Sequence, residues 1–407
     1  MMSQHIEQPG ALDRSGLRRV VWVLSVTQIT SWGVLYYAFA VLLQPMADDT
    51  GWSPVFLTAV FSAALIVSGG CGIVVGRRLD SHGPRAIMTV GSFVAAAAVA
   101  LIATATSQAM FVAAWALAGV AMSAVLYPPA FAALTRWGGE RRLGALTVLT
   151  LVAGFASTVF APLAAWLEDS MGWRSTYLIL AIVLGVVTIP LHWWGLDRPW
   201  HRVARRDPED GDSASPITRT SAFIMLGVVM TIGSFVVYGA VINLVPMLIE
   251  QGLTTRQAAI ALGVGGAGQV AGRLGYRRLN RWSSAAGRAF FVLALAAAST
   301  VLLAVSASTF FLALVASAIA GVARGLLTLI QATAVTDRWG IEHFGRLNGI
   351  LGAPVMLAAA LAPFGGAALA AMSGGFQEAF LLLAGLCAVV AVLALRTGVE
   401  TEPTVNA

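Results

Sequence analysis

The sequence predicts an all-α integral membrane protein with twelve transmembrane helices arranged as two pseudo-symmetric six-helix bundles. Three observations carry that prediction. Of 407 residues, 58% are hydrophobic and 11% charged, against roughly 25% charged in soluble domains, so the chain must be solvated by lipid. Twelve apolar runs approach or exceed the ~20 residues that take a helix across a bilayer core, where every backbone amide is satisfied internally. Finally, the chain repeats itself at an offset of 200 to 203 residues.

The spans fall near 20–46, 53–75, 86–105, 109–135, 143–167, 175–196, 220–249, 255–276, 288–306, 309–336, 346–371 and 376–395. Residues 1–19 form a polar N-terminal tail. The run that follows is too long for a signal-peptide core and is expected to stay as a membrane helix. The longest polar stretch begins at Leu196. It places a linker at 197–219 between an N-terminal bundle, 20–196, and a C-terminal bundle, 220–396, with a tail at 397–407.

Colinear matches link the halves. Pro45-Met46 with Gly51 corresponds to Pro246-Met247 with Gly252, and "GVA" at 119 with "RWG" at 136 to "GVA" at 321 with "RWG" at 338. "APL" at 161 pairs with "APF" at 362, "GWRSTYLILA" at 172 with "GFQEAFLLLA" at 375, and "GRRLD" at 76 with "YRRLN" at 276. Matches over this many spans indicate a six-helix unit duplicated in parallel.

All 25 basic residues are arginine. The lack of lysine excludes Schiff-base chemistry and a Walker-A loop. With the N-terminus inside, 21 arginines fall in cytoplasmic loops and tails, two outside (Arg174, Arg256) and two within spans (Arg273, Arg324). That bias predicts a multi-pass protein of the cytoplasmic membrane with both termini cytoplasmic. The net charge of +6 follows from topology, so no nucleic-acid partner is expected. Cys71 and Cys387 lie in apolar spans and read as small hydrophobes. The 19 acidic residues sit in loops, tails or helix ends, and no histidine is mid-span, since His192 with Trp193 and Trp194 belongs to an interfacial belt. With no metal-ligand cluster, triad or paired carboxylate inside the spans, the sequence points away from an enzyme, a cofactor or a metal.

Arginine inside a span is costly unless it meets water, a partner or a ligand. Arg324 lies near the middle of the tenth span with Thr328 and Gln331 on the same helix face, a wall suited to an anion. Arg273 is about one turn from the end of the eighth span, with Gln269 on its face; snorkelling to the interface is the competing role. In the first span Gln28, Trp32 and Tyr36 share a side with Ser25. The seventh offers Thr231, Ser234, Tyr238 and Asn243. These polar groups suit either a pocket wall or helix-to-helix bonding. Tyr127-Pro128-Pro129 breaks the backbone ladder of the fourth span, and Pro162, Pro354 and Pro363 do likewise in the fifth and eleventh, either as hinges for rocking or, more commonly, as tolerated kinks. The glycine runs "VSGGCG" and "LGVGGAG" favour close packing.

"GRRLDSHGPR" from Gly76 resembles the G-x-x-x-D-R-x-G-R-R loop of major facilitator superfamily transporters, with Gly76, Asp80, Gly83 and Arg85 matching. Ser81 and Pro84 replace basic positions, and Asn280 stands at the Asp position in the second half. Gly51-Trp52-Ser53, "RWGGERRLGAL" from Arg136 and "GWRSTY" from Gly172 resemble the monocarboxylate and oxalate-type branch. The resemblance implies the major facilitator fold and a loop that latches a closed state. It also implies an eighth-span arginine, here Arg273 after Gly272, that holds a substrate carboxylate, at a site between the halves. Gln269 stands where proton-coupled members carry Asp, and the first-span lysine is missing. The expected function is transport of a small organic anion, a monocarboxylate, by alternating access. The alternative is efflux of a neutral or cationic drug-like compound. Expected partners are a small-molecule substrate, the lipid bilayer and, left open, a coupling proton; the chain is expected to be monomeric.

Overall fold

The computed structural model describes residues 12–200, 215–306, 309–340 and 344–398. Most of the two expected tails and the interior of the expected linker lie outside the described residues. Every regular element among the described residues is helical.

Helix starts follow local chemistry. Asp13 accepts from the Gly16 amide at 2.9 Å, and Ser15 and Gly16 together hold its carboxyl below the usual range. Ser53, Ser107, Thr220 and Ser284 likewise cap Pro54–His82, Gln108–Val125, Ser221–Glu250 and Ala285–Ala304 by accepting an amide three residues on. The last span, Phe376–Ala394, follows Gly375, which has no side chain to cap with. Glu250, at the end of Ser221–Glu250, replaces it by accepting from the Phe376 amide at 2.8 Å.

Among the described residues, nine helical stretches are long and apolar enough to cross a membrane. One of them, Gln108–Gly195, is 88 residues long. It holds three passes, because it is interrupted around Gly139 and again at Gly172, whose φ is 76°. The arginine-rich Thr255–Trp282 adds another pass, 28 residues long and so about 42 Å at 1.5 Å per residue. Twelve passes result.

The proline expectations divide. The fourth span is broken: Gln108–Val125 stops at Leu126 (φ −84°, ψ −163°) and Tyr127–Gly138 starts afresh. Pro162 lies inside Ala156–Gly195, just after the fifth span is interrupted at Gly154-Phe155, and Pro354 and Pro363 lie inside Phe344–Ser373, so these prolines are accommodated within helices. A lone proline removes one backbone donor, whereas Pro128-Pro129 removes two in succession. A further irregularity had no counterpart in the sequence reading. The first span carries a π-helical turn at Gly33–Tyr37, where a side chain on Gly33 would overlap the Phe160 ring.

The chain divides into two compact units, Met1–Arg206 with Thr254–Gly266, and Asp207–Leu253 with Ala267–Ala407. The first has a core around Leu24, Met88, Leu134, Trp137 and Leu149. The second is built around Leu226, Met230, Leu293, Leu327 and Leu383. Their internal correspondence reaches the backbone. Gly51 and Gly252 fall at matching places in the repeat, and both have positive φ, 70° and 93°; Gly139 with Gly340 and Gly172 with Gly374, also of positive φ, lie one residue out of register with the matched letters. Only glycine adopts that conformation readily.

The "RWG" arginines also correspond. Arg338 grips the chain leaving the second unit, donating from Nε to the Thr397 carbonyl at 2.8 Å and from Nη2 to its hydroxyl at 2.9 Å. Burial holds its pKa down at about 10. In the first unit Arg136 lies over the Trp200 ring at 4.3 Å, just beyond the sixth span.

Candidate functional site

In the second unit the eighth and tenth spans meet along glycines. A Cβ on Gly268 would stand 2.3 Å from the Ala318 carbonyl oxygen, one on Gly272 2.4 Å from that of Val322, and one on Gly325 2.1 Å from that of Gln269. Backbone therefore packs on backbone, and Arg324 is carried beside the turn that holds Gln269. Arg324 is 5% exposed and Gln269 8%. Among the described residues the Nε and Nη2 of Arg324 and the Oε1 of Gln269 are buried without a hydrogen-bond partner. Nε and Nη2 form one edge of the guanidinium, the edge a carboxylate grips with both oxygens. Arg273 is half-buried one turn further along the eighth span.

The other candidates of this unit have structural bonds. Thr328 donates to the Arg324 carbonyl at 2.9 Å. Gln331 donates from Nε2 to the Ser234 hydroxyl at 2.5 Å, joining the tenth span to the seventh. Asn243 donates from Nδ2 to the carbonyls of Gly239 at 2.8 Å and Pro363 at 3.2 Å, leaving Oδ1 buried and unpartnered among the described residues. Tyr238 is half-buried.

In the first unit, the aromatic candidates come together. The Trp32 ring lies 5.3 Å from Tyr36 and 5.1 Å from Tyr127, which stacks on Phe131 at 4.9 Å. Gln28 is fully buried, and its Nε2 donates to the Val125 carbonyl at 2.7 Å. That carbonyl would ordinarily accept from residue 129, and Pro129 has no N–H. Gln28 thus repairs the fourth-span break, while its Oε1 stays unpartnered among the described residues.

The loop motif is tied to the start of the linker. Arg85 reaches Asp197 at 2.6 Å, donates from Nε to the Trp193 carbonyl at 2.8 Å and lies over the Trp193 ring at 4.3 Å. Asp80 pairs with Arg136 at 3.6 Å, and its carbonyl accepts from Trp200 Nε1 at 3.1 Å. Trp200 packs against Gly83, whose φ is 80° and where a Cβ would stand 2.9 Å from the indole. Nothing in the structure requires glycine at Gly76, which has open space around it. Arg136, Asp197 and Trp200 are functional candidates that sequence reasoning passed over. Their signals were an arginine repeated in both halves and a tryptophan in an otherwise polar linker.

Two helical units that carry, among the described residues, buried polar groups without a hydrogen-bond partner inside apolar spans fit a multi-pass membrane carrier. The family model of the Major Facilitator Superfamily matches residues 21–297 and 286–407, and the chain belongs to that family. It is a membrane transporter and not an enzyme. Among similar proteins, monocarboxylate transporter 13 of Rattus norvegicus is 23% identical over 362 residues, covering 80% of this chain and 77% of that protein. Human monocarboxylate transporter 11 (Homo sapiens) is 28% identical over 260 residues, covering 62% of this chain and 52% of its own length. Among solved structures, a bacterial homologue of the human lysosomal transporter Spinster superposes with a TM-score of 0.77 at 13% identity, covering 97% of this chain and 100% of that one. The nucleoside transporter NupG gives 0.73 at 14% identity, covering 94% and 99%. At these identities the structural likenesses show the fold.

Proposed function

We propose that the protein moves a small organic anion, a monocarboxylate, across the membrane by alternating access, as a secondary active or facilitative carrier. The observation that carries this reading is Arg324, buried with one whole donor edge unpartnered among the described residues. An uncompensated guanidinium inside a span costs several kcal/mol, and a carboxylate accepting from Nε and Nη2 would remove that cost. Gln269 and Arg273, on the helix packed against it, would complete the binding wall. The names of the monocarboxylate transporters among its relatives support the same substrate class.

The halves that alternate are the repeats at 20–196 and 220–396, joined by the linker at 197–219, with both termini on the cytoplasmic side and a single chain as the working unit. Any coupled proton travels on the substrate or at a helix end such as Glu250, because the acidic residues lie in loops, tails or helix ends.

The test is initial-rate uptake of labelled short monocarboxylates by proteoliposomes. Arg324→Ala should abolish saturable uptake. It should leave thermal stability equal or higher, since it deletes a buried charge with an uncompensated donor edge. Wild-type uptake by the variant would remove Arg324 from the site. The aromatic wall of Trp32, Tyr36 and Tyr127 favours a second reading, efflux of a neutral or cationic drug-like compound. In that case hydrophobic cations, and not carboxylates, would compete for transport.

A further inference from the structure

Two cavities, one in each unit, share a chemistry that substrate transport does not use. The one in the second unit is an open groove of about 440 Å³ lined by Gly272, Gly275, Arg278, Trp282, Phe291 and Leu326, among others. The one in the first unit is an open groove of about 400 Å³ lined by Ser15, Arg18, Arg19, Trp22, Val23 and Leu191, among others. Each pairs arginine with an exposed tryptophan at the mouth of an aliphatic wall. Trp282 is 80% exposed and Trp22 68%.

Both cavities lie at arginine-rich helix ends, Arg18 and Arg19 in the first turns of the first span and Arg278 in the last turns of the eighth. Exposed tryptophan marks the boundary between headgroups and hydrocarbon. In the second unit, Gly275 has no neighbour within 4 Å of where a side chain would begin, which leaves a trough beside Phe291. Arg19 is partly engaged, donating to the Trp194 carbonyl at 3.1 Å. Arg18 and Arg278 are exposed.

A free anion would call for donors around its circumference. These cavities set guanidinium against walls that are apolar but for Ser15, whose hydroxyl is already bonded to Asp13, which suits a molecule with one charged end and a hydrocarbon remainder. We propose that both are binding sites for anionic phospholipids of the leaflet meeting the arginine-rich side. The phosphodiester sits on Arg278 in one and on Arg18 with Arg19 in the other, and an acyl chain runs along the apolar wall. Guanidinium matches a phosphate with two parallel donors, which a zwitterionic lipid of the same chain length would engage less strongly because its own cation competes.

Native mass spectrometry of the full chain, titrated with phosphatidylglycerol and with phosphatidylcholine, tests this. Two phosphatidylglycerol molecules should be retained per chain in preference to phosphatidylcholine. Arg278→Gln should weaken one by about fivefold and Arg18→Gln the other, the loss expected for one basic group near a charged surface. Arg278→Lys should keep part of the affinity. Equal retention of the two lipids by the unchanged chain would overturn the proposal even if a variant failed to fold. So would undiminished retention by the folded double variant, or displacement of the lipid by millimolar inorganic phosphate, which would mark a soluble-anion site.

Discussion

Replacing Gly325 by alanine probes how the candidate anion site is held. The new Cβ would stand 2.1 Å from the Gln269 carbonyl oxygen, 2.9 Å from its carbonyl carbon and 3.1 Å from its Cα. All three are backbone atoms of a packed helix, so no side chain can swing aside. Ordinary contact is about 3.5 Å, so the eighth and tenth spans must part by about 1 Å at the level of Arg324. Overpacking of this kind costs about 1–3 kcal/mol, and the gain in helix propensity from glycine to alanine returns about 1. A net loss of up to about 2 kcal/mol is expected, measured as a lower melting temperature in detergent. Uptake of labelled monocarboxylate should fall at least tenfold, since a misplacement of about 1 Å can cost on the order of a hundredfold. Gly349→Ala is the control: that glycine lies in a helix with nothing within 4 Å of its missing side chain. It should melt no lower than the wild type and transport as well. Wild-type melting and uptake in Gly325→Ala would refute the idea that backbone contact between these spans positions Arg324.

Two further outcomes follow from the first unit. Gln28→Leu would leave the Val125 carbonyl without the donor that Pro129 cannot supply, and should lower stability by about 1–3 kcal/mol in a thermal-unfolding assay. If melting is unchanged, Gln28 is not repairing the break. Trp200→Ala removes the indole under Arg136 and the bond to the Asp80 carbonyl. The linker beside it should then be cleaved faster by trypsin, which has Arg202, Arg205 and Arg206 as targets, and uptake should change only in rate, not in KM. Cleavage at the wild-type rate would show that the linker is held elsewhere.

Composition and period made the architecture legible before any coordinates. A chain this poor in charge must lie in lipid, and a chain that repeats "RWG" and its turn glycines two hundred residues apart must build the same unit twice. Gly51 with Gly252 shows why the repeat could be read: positive φ admits little but glycine, so the letter survives where the backbone does. Arg324 was also legible, because a charge in the middle of an apolar run has few structural explanations.

The partners of the polar residues were not legible. Helical spacing put Gln28 on a face with Trp32 and Tyr36, but only the packing of the first span against the broken fourth showed that its amide replaces a donor lost to Pro129. Gln331 and Asn243 read as pocket residues on the same grounds, and their bonds to Ser234 and to Pro363 were settled by which spans lie side by side. The physical reason is range. Burial in lipid and helical period act within one segment and are written in it, whereas a hydrogen bond between spans depends on the approach of two backbones, set here by glycines at 268, 272 and 325 whose contacts lie some fifty residues away along the chain.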